Sequence, residues 1–469
     1  MWSKSSNQGY ISFIPSKFVV LDKYHYKMKK EIGVFVLFMD VKFSNIFLTG
    51  FIENYFISFT IVSGGFYMKV NQDRLWEHLQ TLAAIGRNPD GSITRLPFTK
   101  QDQEAQDLIR TYMQQAGLSV EIDPVGNVIG KWMDQTMTGK PVVTGSHYDS
   151  VIQGGMFDGC LGILGAIEAV TVLKESGYKP NRPIYCIGFK DEEGNRFGYG
   201  MIGSKAINGL VSDEDLLSKD EKGISLQQAM VDFQLEPSLY KQCQKTDFLA
   251  MIELHIEQGK VLEQKHKQIG IVTGIAGLSR YTITIYGESG HAGATPMKGR
   301  MDPMIPACEL VLRIQKKASM LKDCVATVGK LETSPGACNI ICDHVMLSLD
   351  VRSIDPANID CIIDDVKAFL NQIPFQSTLE HEQSLNCAPC SQSIQEQIKE
   401  VCQSNDLSFM SLMSGAGHDA MNFYEHCPIG MIFVESHKGY SHRKEEYTSP
   451  ISCAQGTLVL AQMLQRLGQ

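Results

Sequence analysis

The fold of this chain is decided by residues 141–189, which read PVVTGSHYDSVIQGGMFDGCLGILGAIEAVTVLKESGYKPNRPIYCIGF. The stretch begins and ends with short apolar runs, 141–145 and 183–189, that are typical of buried strands. Residues 161–176 between them are helix-like. Strand, helix and strand in this order predict a βαβ unit with a parallel sheet, and therefore an α/β protein. Polar residues directly follow both strands, at the edge where open α/β sheets bind ligands.

The flanking sequence predicts one domain that is interrupted by an insertion. Leu75, Leu79 and Leu82 mark an amphipathic helix, and Thr99 is a candidate N-cap of a second helix that ends at Gly117. From residue 279, strand and helix signals follow the β-α-β-β-α-β order of the ferredoxin-like arrangement. These signals lie at 281–285, 302–318, 324–331, 345–351, 356–370 and 376–381.

Helical periodicity returns at 393–403 and at 458–467. We therefore predict a two-domain α/β protein. Its mostly parallel-sheet domain comprises residues 68–278 and 388–469, and the inserted α+β domain comprises residues 279–387.

Composition narrows the function classes. The chain has 469 residues, of which 43% are hydrophobic and 20% charged, so neither a disordered nor a fibrous protein fits. The formal net charge of -9 argues against a broad surface for nucleic acid or anionic membrane and favours a small-molecule partner. Thirteen cysteines with scattered spacing fit a reducing compartment better than a secreted disulfide framework. We therefore expect a cytoplasmic protein.

Residues 1–67 differ from the rest of the chain. They hold 10 of the 21 Phe and no Ala, Arg or Cys. Because the enriched residues are those that AT-rich codons encode, we interpret this extension as translated upstream sequence, with Met68 as the native start. The apolar stretch 33–65 also raises a membrane or export role, but Asp40, Lys42 and Glu53 interrupt every window long enough to span a bilayer.

Two polar clusters follow the strands of the βαβ unit. In the first, His147 supplies an imidazole, Asp149 lies two residues on, and Asp158 follows on a glycine-rich turn. His147 and Asp158 are of residue types that bind a metal ion, and Asp149 can orient the His147 imidazole, although a His-x-Asp pair alone also fits a surface turn. In the second, the acidic run from Asp191 to Glu193 fits either a solvated turn or a division of labour between metal binding and proton transfer.

Two further imidazoles occupy comparable positions. In residues 251–259, Ile252, Leu254 and Ile256 form one apolar face of a predicted strand, and the opposite face carries a polar stripe with His255 at its middle. Near the end of the chain, His442 precedes a charged stretch. Each histidine alone would be unremarkable. Together with the two clusters they supply the residues of a two-metal hydrolase.

The sequence resembles the hydantoinase/carbamoylase family of amidases, within the aminoacylase and carboxypeptidase G clan, from about Met68 to the C-terminus. The resemblance lies in six motifs that occur in the family's order. They are GSHYDS at 145–150, FDG at 157–159, DEEG at 191–194, ELHIEQG at 253–259, GHAGATPM at 290–297 and SGAGHDA at 414–420. The resemblance implies a metal-dependent amidohydrolase with an inserted lid and dimerisation domain.

The same resemblance implies the roles of the site residues. His147 and His255 would hold one divalent ion, Glu193 and His442 a second, and Asp158 would bridge the two. The ions expected are zinc, or manganese, cobalt or nickel. Glu192 would be the general base and His291 would stabilise the oxyanion, while Gln258, Asn339, Arg352 and His418 would contact the substrate.

Closure between the two domains is expected to assemble this site. We expect hinges near 274–277 and around Cys387. The family's inserted domain also dimerises, so a homodimer is implied in which the partner subunit is a second possible source of His291 and Arg352. Arg352 also has an ordinary explanation, namely a salt bridge to Asp350 on the same strand face.

Two features depart from the family pattern or compete with it. Residues 441–446 read SHRKEE where the family commonly has Ser-His-Asn-Pro-x-Glu, so the proline that would stiffen the His442 loop is missing. Cys387 and Cys390 form a Cys-x-x-Cys motif of redox or zinc-binding type. No second pair stands at zinc-ribbon spacing, so we interpret this segment as a domain junction.

The expected reaction is hydrolysis of the carbamoyl C–N bond of an N-carbamoyl-L-amino acid to amino acid, ammonia and carbon dioxide. Allantoate and ureidoglycolate also present a ureido group beside a carboxylate and stay open as substrates. An aminoacylase or dipeptidase of the clan would more often carry an acidic residue at position 255. A non-catalytic binding protein would be expected to have lost Glu192 or a metal ligand.

Overall fold

The computed structural model describes residues 28–31, 34–41, 44–53, 56–63 and 68–469. The chain divides into two compact units, Met1–Met68 and Lys69–Gln469. In the first unit the described backbone forms an antiparallel sheet in the order β1-β2-β3-β4. Its strands are β1 Met28–Glu31, β2 Val34–Val41, β3 Ser44–Glu53 and β4 Phe56–Ser63. Most of residues 1–67, which we interpret as translated upstream sequence, lie outside the described residues.

The second unit alternates helices and strands. Its helices are α1 Gln72–Ala84, α2 Lys100–Gln115, α3 Cys160–Glu175, α4 Ile202–Ile207, α5 Leu226–Asp232, α6 Val261–Lys265, α7 Met304–Ala318, α8 Pro356–Gln372, α9 Gln392–Ser404 and α10 Pro450–Leu467. Its strands are β5 Ser119–Ile122, β6 Val128–Trp132, β7 Val142–His147, β8 Ile184–Phe189, β9 Ala250–Ile256, β10 Ile269–Ile275, β11 Gly277–Tyr286, β12 Gly290–His291, β13 Cys324–Thr327, β14 Leu331–Ser334, β15 Ile340–Ile341, β16 His344–Ser353, β17 Ser377–Leu385, β18 Ala388–Pro389, β19 Phe409–Ser414 and β20 Ile429–Val434.

The larger sheet of this unit has a parallel centre. Its order is β18-β10-β20-β9-β7-β8-β6-β5, with β19 paired to β10. Strands β20, β9, β7 and β8 run parallel to one another. The outer pairs β10 with β20, β6 with β8 and β5 with β6 are antiparallel. The βαβ unit predicted from residues 141–189 forms as β7, α3 and β8, and the predicted α/β class with a mainly parallel sheet is confirmed.

Helix α3 lies against this sheet and is buried along almost its whole length. It packs on β7 and β9 on one side and on α1 and α10 on the other, which explains why it is apolar nearly all round rather than amphipathic. Gly162 allows the close approach, because a Cβ there would stand 2.3 Å from the carbonyl oxygen of Leu254. The start of α3, and with it the turn that carries Asp158, is therefore fixed against the strands.

A second, antiparallel sheet has its own core. Its order is β13-β16-β11-β17, with β14 also paired to β16. Numbered within this segment the strands run 2-3-1-4, the order of the predicted ferredoxin-like arrangement. Helices α7 and α8 pack on it and bury Ile283, Leu310, Leu347 and Val366 among others. The chain enters this sheet between Ile275 and Gly277 and returns to the larger one between Leu385 and Ala388.

Local signals placed several elements correctly. Thr99 caps α2 by accepting a hydrogen bond from the Asp102 amide, and Leu75, Leu79 and Leu82 are the buried stripe of α1. The single strand predicted over 324–331 was wrong, since the chain forms two strands there, β13 and β14. The last helix begins at Pro450 rather than at residue 458. In the described part of the chain, no helix combines the length and apolarity that crossing a bilayer requires.

Candidate metal centre

The polar clusters predicted at the strand ends meet at one edge of the larger sheet. His147 is the last residue of β7, and His255 is the second-last residue of β9. Glu192 and Glu193 follow β8, and His442 lies in the loop after β20. Because these strands are parallel or converge on the same edge, residues that are nearly 300 positions apart share one site.

The carboxylate of Asp158 lies at the middle of this site. Its Oδ1 is 3.4 Å from Nε2 of His147 and 3.2 Å from Nε2 of His255. Its Oδ2 is 3.2 Å from Nε2 of His442, which is in turn 3.4 Å from Oε1 of Glu193. Two groups of three potential ligands therefore share Asp158, namely His147 with His255 and Glu193 with His442.

These distances fit divalent ions. Two donor atoms bound tetrahedrally to one ion at about 2.0–2.1 Å stand roughly 3.3–3.4 Å apart, close to the separations around Asp158. Imidazole and carboxylate donors suit zinc and related divalent metals. Oε1 of Glu193 is buried and has no hydrogen-bond partner among the described residues, as expected of an atom whose natural partner is a cation. The residues present therefore fit a metal centre.

Other triads meet the same geometric requirement less well. Glu253, His255 and His418 lie together, but Glu253 already accepts hydrogen bonds from Ser146 Oγ at 2.6 Å and from the Ala420 amide at 2.8 Å. A third grouping adds Glu192 to His147 and Glu193. Glu192 Oε2 is 3.9 Å from His147 Nε2, further than the contacts around Asp158.

Outer contacts orient the candidate ligands. Asp149 stands 3.3 Å from Nδ1 of His147 and accepts the amide N–H groups of Glu192 at 3.1 Å and Glu193 at 3.2 Å. Nδ1 of His255 is 3.0 Å from the carbonyl oxygen of Ile256. A proton on each Nδ1 leaves the lone pair that binds a metal on Nε2, although Nε2 of His255 also accepts the Gly159 amide at 3.1 Å.

The His442 loop is fastened by hydrogen bonds where the family pattern has a proline. Ser441 donates to Asp158 Oδ2 at 2.7 Å and to Glu446 Oε2 at 3.2 Å. Glu446 Oε1 accepts the amides of Phe157 at 2.7 Å and Asp158 at 3.0 Å. Ser441 was not among the predicted site residues, although a hydroxyl directly beside a candidate ligand was an available signal.

Burial and mutual repulsion set the protonation of this cluster. Burial, with the neighbouring charge of Asp158, raises the pKa of Glu193 to about 8. Burial also raises the pKa of Glu192 well above its usual range. Burial opposes ionisation of Asp158 as well, but hydrogen bonds from His147, His255 and His442 hold its pKa well below the ordinary value. Divalent cations would take over the neutralisation that shared protons otherwise provide.

Two of the predicted substrate contacts lie beside the metal cluster. Gln258 donates from Nε2 to Asp158 Oδ2 at 2.7 Å, and its own Oε1 has no hydrogen-bond partner in the part of the chain that the structure describes. His418 is buried, with Nε2 at 2.8 Å from Ser414 Oγ and its ring centroid 4.5 Å from that of His255.

The other three predicted residues lie on the inserted segment. His291 and Asn339 are neighbours, because β12 pairs with β15 and the Ala292 amide donates to the Asn339 carbonyl at 3.0 Å. Arg352 forms the salt bridge to Asp350, with Nε 2.8 Å from Oδ1, and its Nη1 also donates to the Gly415 carbonyl at 2.7 Å. Within the described residues none of the three contacts the Asp158 cluster.

The remaining sequence motif behaves as a junction. Cys390 is buried, and burial raises the pKa of its thiol to about 12. Cys387 is half-buried and also has a raised pKa because of burial. All thirteen cysteines are free. Ala388 and Pro389 between the two thiols form β18, so this segment serves to return the chain to the larger sheet.

A cavity of about 520 Å³ lies beside the metal cluster rather than on it. It is bounded by Met201, Met421 and Asn422 on the side of the larger sheet and by Leu385, Asn386 and Cys387 at the junction. Its wall touches the acidic loop, because the Met201 amide donates to the Glu192 carbonyl at 3.0 Å.

Comparison with known proteins finds a matching family and similar relatives. The model of peptidase family M20/M25/M40 matches residues 139–466. The chain is 39% identical over 406 residues to an N-carbamoyl-L-amino acid amidohydrolase of Geobacillus stearothermophilus, covering 85% of this chain and 99% of that protein. It is 34% identical over 402 residues to an allantoate amidohydrolase of Bacillus subtilis, covering 84% and 98%.

A solved structure shows the same architecture. An amidase of the hydantoinase/carbamoylase family from Burkholderia multivorans superposes with a TM-score of 0.81 at 31% sequence identity. The match covers 86% of this chain and 98% of that one.

Divalent metal should stabilise the chelator-treated protein. At a free ion concentration 100 times the dissociation constant, binding to the folded state alone adds about 2.7 kcal/mol, which calorimetry detects as a higher Tm. The Tm increase should shrink toward pH 5, because the imidazoles bind metal only after losing their protons. Asp158→Asn should abolish the increase. His437→Ala, which alters a histidine paired with Glu263 on the surface, should retain it; an undiminished increase in D158N would place the ions elsewhere.

Proposed function

The chain belongs to peptidase family M20/M25/M40 and within it to the hydantoinase/carbamoylase amidases, and from this premise we propose that it hydrolyses the carbamoyl C–N bond of N-carbamoyl-L-amino acids. The products are the L-amino acid, ammonia and carbon dioxide. The observation that carries the proposal is the pair of ligand groups that share Asp158, with Glu192 directly beside them.

Two divalent ions are assigned to this centre. His147 and His255 would hold one with Asp158, and Glu193 and His442 would hold the other with the same carboxylate. Zinc fits these donors, as do manganese, cobalt and nickel. Such ions supply acidification of water and polarisation of the attacked carbonyl.

Glu192 is proposed as the general base. It accepts a proton from the attacking water as the C–O bond forms, and it returns the proton to the leaving nitrogen as the tetrahedral oxyanion collapses and the C–N bond breaks. Loss of the terminal nitrogen as ammonia leaves an N-carboxy amino acid, which releases carbon dioxide. Its backbone is held at both ends, because its amide donates to Asp149 and its carbonyl accepts the Met201 amide. Burial raises the pKa of Glu192, which suits this exchange because a carboxylate that holds a proton more tightly is a stronger base.

His291 is proposed to stabilise the oxyanion. Its Nδ1 accepts the amides of Gly293 and Ala294, both at 3.1 Å. A lone pair is therefore required on Nδ1, which places the proton of the neutral ring on Nε2. Nε2–H is then a fixed donor, as stabilisation of a developing negative charge requires.

The carboxylate of the substrate is assigned to Arg352 and Asn339, and Gln258 and His418 contact the ureido end. A guanidinium suits a carboxylate because it can donate two parallel hydrogen bonds. The unpartnered Oε1 of Gln258 is an available acceptor for a ureido N–H. The 520 Å³ cavity, whose wall reaches the Glu192 loop through Met201, is proposed to receive the substituent on the α-carbon.

We propose that residues 279–387 act as a lid and dimerisation domain on a catalytic domain formed by residues 68–278 and 388–469. Closure, or a partner subunit, would bring His291 to the metal centre, which it does not contact here. Exposed Ile305, Leu312 and Met320 on and beside α7 are apolar surface that a homodimer could cover. Thirteen free cysteines support a cytoplasmic location.

Allantoate hydrolysis is the second candidate, with ureidoglycolate beside it. It is favoured by the 34% identity to the allantoate amidohydrolase of Bacillus subtilis. Both substrates carry the ureido group and the carboxylate that the same residues would recognise. An aminoacylase or dipeptidase activity is less favoured, and a binding protein without activity is disfavoured because Glu192 and all five ligands are present.

A substrate panel tests the proposal. Ammonia release from metal-restored protein should have its highest kcat/KM with N-carbamoyl-L-amino acids, compared with their D-enantiomers, allantoate and ureidoglycolate. N-acetyl-L-amino acids, scored by free amine, test aminoacylase activity. A higher kcat/KM for allantoate would establish the second candidate, and no turnover of any ureido acid would refute the amidohydrolase proposal.

Glu192→Gln should lower kcat by about 10²- to 10⁴-fold, because an amide cannot accept the proton of the attacking water. Its metal content should equal that of the unaltered protein, measured by inductively coupled plasma spectrometry. Glu445→Gln is the matched control, since Glu445 pairs with Arg443 on the surface. A loss of metal in E192Q would make Glu192 a ligand rather than the base.

Arg352→Met should raise KM by about 10- to 100-fold with a smaller change in kcat, because a hydrogen bond to a charged group contributes about 1.5–3 kcal/mol. A carbamoylated amine without a carboxylate should show no such increase. Arg280→Met is the control, since Arg280 also pairs with Asp350, at 2.9 Å. Equal KM values for R352M and R280M would assign the substrate carboxylate to another residue.

A further inference from the structure

Arg95 is a buried guanidinium beneath the metal centre. Its side chain is completely buried. Its partners in the described part of the chain are three main-chain carbonyl oxygens and one thiol, none of them an anion. Burial of a charge without a paired anion is costly, so these contacts must fix the guanidinium closely.

Two of the contacts join the segments that carry His147 and Asp158. Nε donates to the carbonyl oxygen of Tyr148, the residue directly after His147. Nη2 donates to Sγ of Cys160 at 3.0 Å, two residues after Asp158. One planar group thus connects the end of β7 to the start of α3.

The other two contacts join the guanidinium to helix α1. Nη1 donates to the carbonyl oxygens of Leu82 at 3.2 Å and Ile85 at 2.9 Å, at the C-terminal end of α1. The partial negative charge at a helix C-terminus stabilises a cation there without a carboxylate. Helix α1 is therefore the anchor against which the two ligand segments are held.

The backbone around Arg95 clamps the loop between the same two ligands. The Arg95 amide donates to Ser150 Oγ at 2.9 Å, and the Ser150 amide donates to the Arg95 carbonyl at 3.1 Å. Ile93 and Gly154 exchange two further hydrogen bonds, at 3.0 and 2.8 Å. The chain from His147 to Asp158 is thus held at both of its ends and in its middle.

We propose that Arg95 is a positioning residue of the metal centre, which keeps His147 and Asp158 at the separation that a shared ion requires by tying Tyr148 to Cys160. The inference rests on the proposed metal-dependent activity, but it concerns metal affinity and is measured without turnover. Loss of an outer contact of this kind lowers metal affinity by about 10- to 100-fold.

The test compares Arg95→Met and Arg95→Lys with the unaltered protein. Zinc affinity of the metal-free proteins is measured by competition with a chromophoric chelator, and Tm is measured in excess chelator. R95M should weaken zinc binding by about 10- to 100-fold. R95K should recover part of this loss, because a lysine can keep the contacts to α1 but cannot span both ligand segments.

Arg74→Met is the matched control for a purely structural effect. Arg74 lies on α1, which Arg95 contacts, and pairs with the buried Glu168 at 2.7 Å and with Glu175 at 2.6 Å, but it contacts neither ligand segment. R74M should lower Tm because the Glu168 carboxylate loses its partner. Its zinc affinity should not change.

Cys160 supplies a second test if R95M does not fold. Cys160→Ser keeps an acceptor for Nη2, whereas Cys160→Ala removes it, so zinc binding should be weaker in C160A than in C160S. A lowered Tm with unchanged zinc affinity in R95M or R95K, or equal affinities of C160A and C160S, would overturn the proposal.

Tighter zinc binding in R95M would overturn it as well, because repulsion between like charges would then outweigh positioning. If the unaltered protein binds no metal, the amidohydrolase proposal fails first and this inference falls with it. Normal metal binding in the unaltered protein, with no loss in the Arg95 variants, refutes this inference alone.

Discussion

The catalytic unit depends on one physical constraint, the burial of the Asp158 carboxylate among three imidazoles. An ionised carboxylate can be buried only where donors or cations surround it. Its two oxygens face His147, His255 and His442 and also accept hydrogen bonds from Gln258 and Ser441. These donors come from segments far apart in the chain, so the fold must bring them to one point.

The parallel centre of the larger sheet meets this requirement. Strands β7, β8 and β9 end at one edge, which delivers His147, the acidic loop and His255 together. Asp158 reaches them because Gly159 has φ +63° and begins α3 against the His147 ring, where a Cβ would stand 2.4 Å from Cδ2. Only glycine combines that backbone conformation with that closeness. The same short turn therefore fixes both the helix and the central carboxylate.

The sequence was sufficient to predict features that depend on neighbouring residues, and those that follow from a parallel sheet. The apolar runs at 141–145 and 183–189 and the polar residues after them were sufficient for the βαβ unit and for the meeting of the clusters. Ser449 and Pro450 carried the signal for the start of α10, since Ser449 caps the helix and proline suits its first turn. The predicted start at residue 458 came from the apolar periodicity, which becomes regular only later in this helix.

Other features depend on partners that no local pattern reveals. The polar stripe expected on β9 is buried like the apolar face, because β9 lies between β20 and β7 with structure on both sides. Strands β13 and β14 pair along the same edge of β16, and the break between them follows from that pairing. Arg95 bonds main-chain oxygens and a thiol, so no acidic residue in the sequence marks its place.

The proposed role of Arg352 can be fulfilled by exchange of one of its present hydrogen-bond partners. Its guanidinium donates two hydrogen bonds to Asp350 and one, from Nη1, to the Gly415 carbonyl, so a substrate carboxylate that replaces the Gly415 carbonyl at Nη1 leaves the contacts to Asp350 in place. Arg280 also binds Oδ2 of Asp350, at 2.9 Å. Gly415 lies on the segment that leads to His418 beside the metal centre. Exchange of the Gly415 carbonyl for a substrate carboxylate would therefore link occupancy of the site to the contact between the two sheets.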